Sequence, residues 1–214
     1  MKRTQRTSDF LKECIADSLL RLLRTKPLEA ITIREITELA NVSRVTYYRN
    51  FTSKEEVIEF KLDKLMTEWI EKQPQKESVS AHELSIRFFQ FFYSIRDIVQ
   101  TLIRANLSLL LLNRLILKFN DINTADSSEY YRQIFISFGL CGIILSWMDT
   151  GMKESPEEMG RIISRKFFPA PESEDVYKRQ GINCFNKPNG PNGDQILHPN
   201  SCIVKFFGNI HHQS

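Results

Sequence analysis

The chain has 214 residues, 26% of them charged and 42% hydrophobic, with only eight glycines, eight prolines and a net charge of +3. That mix excludes collagen-like and low-complexity chains and fits one sizeable helical domain or two small ones. Residues 1–54 hold eleven Lys or Arg against six Asp or Glu, and residues 55–214 hold eighteen against twenty, so the positive charge sits where a phosphate-bearing partner could use it, although a solvated basic face has the same composition.

Ser8 to Leu23 places Leu11, Ile15, Leu19, Leu22 and Leu23 at helical spacing and predicts an amphipathic helix of about four turns. Thr32 precedes Ile33 with Glu35 three residues on, a capping box that opens a short helix with Ile36 and Ala40 on one face. Asn41 then stands at a sharp turn, since asparagine tolerates the left-handed conformation. Ser43 caps a second short helix anchored by Val42, Tyr47 and Phe51, which leaves Arg44, Val45, Thr46, Tyr48 and Arg49 outward. A recognition helix enters the major groove by its N-terminal residues. Arg44 suits a bidentate contact to guanine and Val45 a thymine methyl; Thr46, Tyr48 and Asn50 offer donors to phosphate oxygens. Thr52-Ser53-Lys54-Glu55-Glu56 repeats the capping logic with Ser53 as cap and Glu56 at N3, so that Lys54 stands at a helix N-terminus, suited to hold a phosphate.

The run Val42-Ser-Arg-Val-Thr-Tyr-Tyr-Arg-Asn-Phe-Thr-Ser-Lys-Glu-Glu56, with Thr32-Ile-Arg-Glu-Ile before it, resembles the signature of the TetR family of bacterial transcriptional regulators over roughly residues 7–67. The resemblance implies that Arg34, Arg44, Val45 and Tyr48 face bases or the groove, that Thr32, Thr46, Tyr48, Asn50 and Lys54 hold phosphates, and that Tyr47 is a core residue. Ser43 joins the DNA-contacting set as the cap of the recognition helix. The chain departs from the family pattern at Thr37 (usually alanine), Asn41 (usually glycine), Tyr47 (usually smaller) and Asn50 (usually histidine); Tyr47 bears on how the recognition helix is seated.

Glu55 to Glu71 continues as one helix, and Gln73-Pro74 to Ser78 breaks it. From Ser80 to Phe119 the chain is strongly apolar, which reads as core or as an effector pocket; Phe88, Phe92, Arg104 and Trp147 are the candidate lining, with Arg104 suited to an anionic ligand or to a local pair. Ser127 to Gly151 is apolar nearly all round, with Tyr130, Ile134, Phe138, Cys141, Leu145 and Met148 forming one stripe and Ile136, Leu140, Ile143 and Trp147 another. A helix apolar on two faces buries both, so one stripe is expected to meet a second subunit. Ser155-Pro156-Glu157-Glu158 opens a last helix with proline at N1 and acids in its first turn. The stretch from Gly142 to Glu158 resembles the C-terminal region of a TetR subgroup, which implies pairing of the last two helices with their symmetry mates.

After Phe168 helical periodicity stops, and residues 169–214 read as a flexible or artefactual tail. Asp175-Val-Tyr-Lys-Arg-Gln180 is what a transposon sequencing adaptor encodes, and from about residue 175 the chain reads as an assembly artefact. His198, Cys202, His211 and His212 are therefore not taken as a metal site. Cys14 and Cys141 sit in apolar helical patterns and read, like Cys184 and Cys202, as lacking metal spacing. No signal-peptide pattern follows Met1, and the uncharged run Gln133–Met148 is short for a bilayer span.

The expected architecture is all-α: an N-terminal three-helix helix-turn-helix DNA-binding domain (residues 7–67, motif about 31–50) and a C-terminal helical ligand-binding and dimerisation domain (residues 78–168). The expected function is a cytoplasmic, homodimeric, ligand-responsive repressor on a pseudo-palindromic double-stranded DNA operator, with an unidentified small-molecule effector. No catalytic constellation, metal site, cofactor or membrane partner is expected, since His82 is the sole histidine before the tail. A ligand-independent DNA-binding factor, or an activator working through a partner protein, is the alternative.

Overall fold

The computed structural model describes residues 2–73, 80–119 and 127–167. The adaptor-like hexapeptide, the tail histidines, Cys184 and Cys202 lie outside the described residues. Every described element is helical: α1 (Lys2–Leu23), α2 (Ile33–Leu39), α3 (Arg44–Asn50), α4 (Lys54–Glu71), α5 (Ala81–Ser94), α6 (Arg96–Arg104), α7 (Ser108–Phe119), α8 (Ser127–Asp149) and α9 (Pro156–Phe167), with a 3-10 turn at Leu28–Ala30.

Two compact units result. The first contains α1 to α4 together with α6 and α7, and the second contains α5, α8 and α9. Thus α6 and α7, which the sequence reading groups with the C-terminal domain, fold with the N-terminal helices.

In the first unit the apolar stripe of α1 supplies Ile15, Ala16, Leu19 and Leu23, all buried with Ile36, Tyr47, Phe51, Val57, Ile58, Leu62 and Met66. Removing this apolar area from water is the main stabilising term. Around that core Lys61 pairs with Asp17 at 2.7 Å and Lys64 with Glu13, both joining α4 to α1. From α7, Arg114 reaches Asp63 at 3.2 Å and Glu59 at 3.7 Å on α4. These ion pairs are half-exposed and add little beyond orientation.

In the second unit α5 and α9 approach unusually closely. A Cβ built on Gly160 would stand 2.7 Å from the Ile86 backbone nitrogen and 2.8 Å from its Cα, so only glycine fits there. One turn on, Ser164 Oγ lies 3.0 Å from His82 Nδ1, and at the other end Gln90 Nε2 donates to Glu157 at 2.8 Å. Ser155 caps α9 by accepting from the Glu158 amide at 3.2 Å, while its own amide donates to the Glu158 carboxylate at 2.9 Å.

The phase of α8 differs from the expected stripes. Its buried face carries Gln133, Ser137, Cys141, Ile144, Trp147 and Met148, whereas Tyr131, Phe135 (76% exposed) and Phe138 point outward. Gln133 and Ser137 thus face the protein while the aromatics Tyr131, Phe135 and Phe138 face away from it. Phe138 therefore parts from Cys141 and Met148, with which the periodicity groups it, because Gln133 and Ser137 fill the corresponding inward positions. Tyr130–Asp149 is long and apolar enough to cross a membrane by length and composition, and a third of that stretch is buried within the protein.

Candidate nucleic-acid interface

Helix α2 begins as its sequence dictates. Thr32 Oγ1 accepts from the Glu35 amide at 3.2 Å, and the Glu35 carboxylate accepts from the Thr32 amide at 2.9 Å, completing a capping box. Lys26 also bonds this carboxylate. The Lys26 hydrogen bond first, then the two bonds from Thr32, hold the Glu35 carboxyl down at about 2. Thr37, where the family pattern has alanine, is buried because its hydroxyl donates to the Ile33 carbonyl at 2.9 Å.

The reversal between α2 and α3 is made at Asn41, whose φ is +52°, and closed by the Val42 amide donating to the Thr37 carbonyl at 3.0 Å. Asparagine thus supplies the left-handed residue that glycine usually supplies at a tight turn. Ser43 then caps α3, accepting from the Thr46 amide at 3.0 Å and contacting Thr46 Oγ1 at 2.9 Å.

One residue seats α3. Tyr47 is wholly buried, its ring edge-on to Tyr48 at 5.5 Å and tilted against Phe51 at 6.0 Å. Its hydroxyl is buried without a hydrogen-bond partner among the described residues. Burial, with smaller contributions from Tyr48, Glu55 and Glu56, pushes that hydroxyl up to about 12. The larger side chain therefore fits, at the cost of an unsatisfied polar atom.

With Tyr47 inward, the 100° step of the helix turns Arg44, Val45, Tyr48 and Arg49 outward as one continuous face. All four are exposed, Val45 at 75% and Tyr48 at 62%. This face combines two guanidinium groups, an apolar branch and a phenol, a chemistry matched to base edges and phosphate oxygens.

The remaining candidates stand differently. Arg34 is exposed but held by Glu38 at 2.6 Å one turn along α2. Asn50 is half-buried, and its amide is committed: Nδ2 donates to the Thr46 carbonyl at 2.7 Å and Oδ1 accepts from Ser8 Oγ at 3.1 Å. Lys54, at the first position of α4, donates to the carbonyls of Leu28 and Ile31, the latter at 2.9 Å. An ammonium has three donors, so one is left for a phosphate. At the start of α4 Ser53 accepts from the Glu56 amide at 3.0 Å, and the Glu56 carboxylate accepts from the amide and hydroxyl of Thr52, at 2.6 and 2.7 Å. The sequence pattern places Arg49 outward and offers Asn50 to a phosphate; the bonds of Asn50 to Ser8 and Thr46 commit its amide within the protein instead.

The four candidate effector contacts do not share one unit. Phe88, Phe92 and Trp147 are buried in the second, where Phe88 and Phe92 lie 4.9 Å apart and Phe89 meets Trp147 edge-on at 5.6 Å. The Trp147 indole donates to the Glu154 carbonyl at 3.0 Å. Arg104 is exposed at the end of α6 in the first unit. Within the first unit a cavity of about 570 Å³ opens between α1, α4 and α7, with Phe60, Asp63, Lys64 and Arg114 on its wall.

Residues 15–59 match the family model of bacterial regulatory proteins of the tetR family, and residues 80–167 match that of a transcriptional regulator C-terminal region. No curated protein matches the chain.

Proposed function

We propose that this chain, which belongs to the TetR family of transcriptional regulators and is a DNA-binding protein of that family, is a homodimeric, ligand-responsive repressor of a pseudo-palindromic operator. The observation that carries the DNA-reading half is the exposed face of α3, with Arg44, Val45 and Tyr48 presented by a buried Tyr47. Arg44 reads a base, Val45 packs on a thymine methyl, and Tyr48, Lys54 and the capped starts of α2 and α3 hold phosphates. Thr32, Ser43 and Thr46 lie at those starts; Arg34 contributes when released from Glu38, and Asn50 acts through the seating of α3.

The outward aromatics of α8 support the homodimer. Tyr131, Phe135 and Phe138 leave apolar area in water unless a second copy covers it. Two recognition helices held this way enter successive major grooves about 34 Å apart. The apolar length of α8 then serves two protein-facing stripes, in the cytoplasm, without a membrane or an enzymatic role. An effector among Phe88, Phe92 and Trp147 would bind one arrangement of the dimer better and so shift the population away from operator spacing.

The test is selection of bound sequences from a randomised duplex pool, followed by affinity measurements. Tyr48→Phe and Lys54→Ala weaken all operator variants alike, whereas Arg44→Ala relaxes preference at one base pair. Equal loss across every variant for Arg44→Ala overturns its base-reading role, and release of DNA by no compound tested against the operator complex counts against a ligand-responsive repressor.

A further inference from the structure

Helix α3 is seven residues long, Arg44–Asn50, and Tyr47 stands at its middle. Arg44 and Asn50 are each three residues from Tyr47, about 4.5 Å along the axis on either side. Tyr47 is wholly buried against Phe51, and its hydroxyl has no hydrogen-bond partner among the described residues. Apolar packing is non-directional. The ring therefore anchors the middle of α3 and leaves its tilt to contacts at the two ends.

Those ends are held differently. At the N-terminal end the side-chain bonds stay local, with Ser43 Oγ accepting from the Thr46 amide and lying 2.9 Å from Thr46 Oγ1. At the C-terminal end Asn50 is bonded on both sides of its amide. Nδ2 donates to the Thr46 carbonyl at 2.7 Å, and Oδ1 accepts from Ser8 Oγ on α1 at 3.1 Å. Among the described residues this is the one side-chain hydrogen bond that joins α3 to another helix. Ser8 and Asn50 are both half-buried, where water competes less for the bond. The Asn50 amide thus links the position of α1 to the backbone of α3.

We infer that Ser8 and Asn50 are specificity-determining positioning residues, whose hydrogen bond sets the tilt of α3 about Tyr47 and so the sharpness with which Arg44 reads a base. This rests on the base-reading role proposed for Arg44 and deepens it. A tilt about the middle of the helix moves Arg44 as far as it moves Asn50, in the opposite direction. A tilt of about 15° displaces the Arg44 backbone by about 1 Å, beyond the roughly 0.5 Å that a well-made polar contact tolerates. Ser8 and Asn50 act on the reading from the far end of α3, without touching the DNA.

The experiment uses the full chain, Ser8→Ala, Ser8→Thr, Asn50→Ala and the double variant Ser8→Ala, Asn50→Ala. Affinity is measured, as a function of salt, for a duplex selected by the unaltered chain and for a mixed-sequence duplex. Ser8→Ala and Asn50→Ala are each expected to lower the ratio of selected to mixed-sequence affinity about fivefold, with the loss concentrated at the base pair that Arg44→Ala relaxes. Ser8→Thr, which keeps the hydroxyl, keeps the ratio, and the double variant loses no more than the worse single one. Mixed-sequence affinity and its salt slope stay unchanged in all four, which general loss of folding would not allow. Each phosphate contact contributes about 0.9 to that slope. A slope lowered by that amount in Asn50→Ala marks a phosphate contact and overturns the inference. So does an unchanged ratio in Ser8→Ala, a Ser8→Thr as poor as Ser8→Ala, or losses that multiply in the double variant. Failure of the unaltered chain to select any sequence would instead sink the DNA-reading role of α3 itself.

Discussion

Ser8 and Asn50, 42 residues apart in sequence, share a 3.1 Å hydrogen bond that ties the first helix to the end of α3. The Asn50 amide is completed by its bond to the Thr46 carbonyl at 2.7 Å. This seating lets a seven-residue helix, too short to be stable alone, hold a defined orientation. Ser8→Ala and Asn50→Ala are each expected to cost about 1 kcal/mol in urea unfolding. The double variant should cost less than their sum by about 0.5 kcal/mol or more. Full additivity would show that the bond contributes nothing.

Tyr47 offers the opposite case, a buried hydroxyl without a partner among the described residues. Tyr47→Phe keeps the ring packing against Phe51 and removes an unsatisfied group, so stability should stay level or rise by up to about 1 kcal/mol. Tyr47→Ala removes the packing and should cost about 3–5 kcal/mol. Thermal unfolding of the two variants distinguishes them; a marked loss in Tyr47→Phe would reveal a partner for the hydroxyl.

Glu35 gives a pH signature. Its carboxyl is held at about 2, below the ordinary 4.5, by Lys26 and Thr32. A folded-state value below the unfolded one means stability that is present above about pH 4.5 and lost as pH falls through about 2. The thermal midpoint of Glu35→Gln should therefore lie furthest below the unaltered chain at neutral pH, and the two should converge near pH 2. Because the pair is solvent-exposed, added salt should narrow the gap. A gap that widens in acid would contradict the assignment.

Gly160 is the close point of the α5–α9 pair, with the Ile86 backbone 2.7 Å from where a Cβ would stand. Gly160→Ala must push the helices apart and is expected to cost about 1–3 kcal/mol. Hydrogen exchange should show the loss in α5 and α9 and leave protection of α1 to α4 unchanged; uniform loss of protection would mean that the two units unfold together.

The outward aromatics of α8 predict the oligomeric state. Phe135→Glu with Phe138→Glu places charge where a second copy would bury apolar area, and should convert a dimer to a monomer in sedimentation equilibrium. A variant that stays dimeric would place the interface elsewhere. A monomer should also lose more operator affinity than mixed-sequence affinity, since only the operator rewards two aligned half-sites.

Some of this was written locally. The capping box at Thr32, the Asn41 turn and the Ser43 cap depend on residues three or four apart, and such signals act through the chain's own backbone. The all-helical class and the placing of Arg44, Val45 and Tyr48 on one outward face followed from these and from a 3.6-residue period. By itself the sequence therefore determined where α3 starts and what it displays, and it carried the family resemblance.

Contacts between distant residues needed the folded chain. Periodicity could not say that the Asn50 amide is committed inward, because that depends on Ser8, or that Lys54 spends two donors on the Leu28 and Ile31 carbonyls. Nor could it phase α8, an almost uniformly apolar helix, in which the inward choice of Gln133 and Ser137 over Phe135 and Phe138 depends on neighbours far along the chain. The physical reason is common to all three: a helix sets the angle between its own side chains, and only tertiary packing sets which angle faces the core.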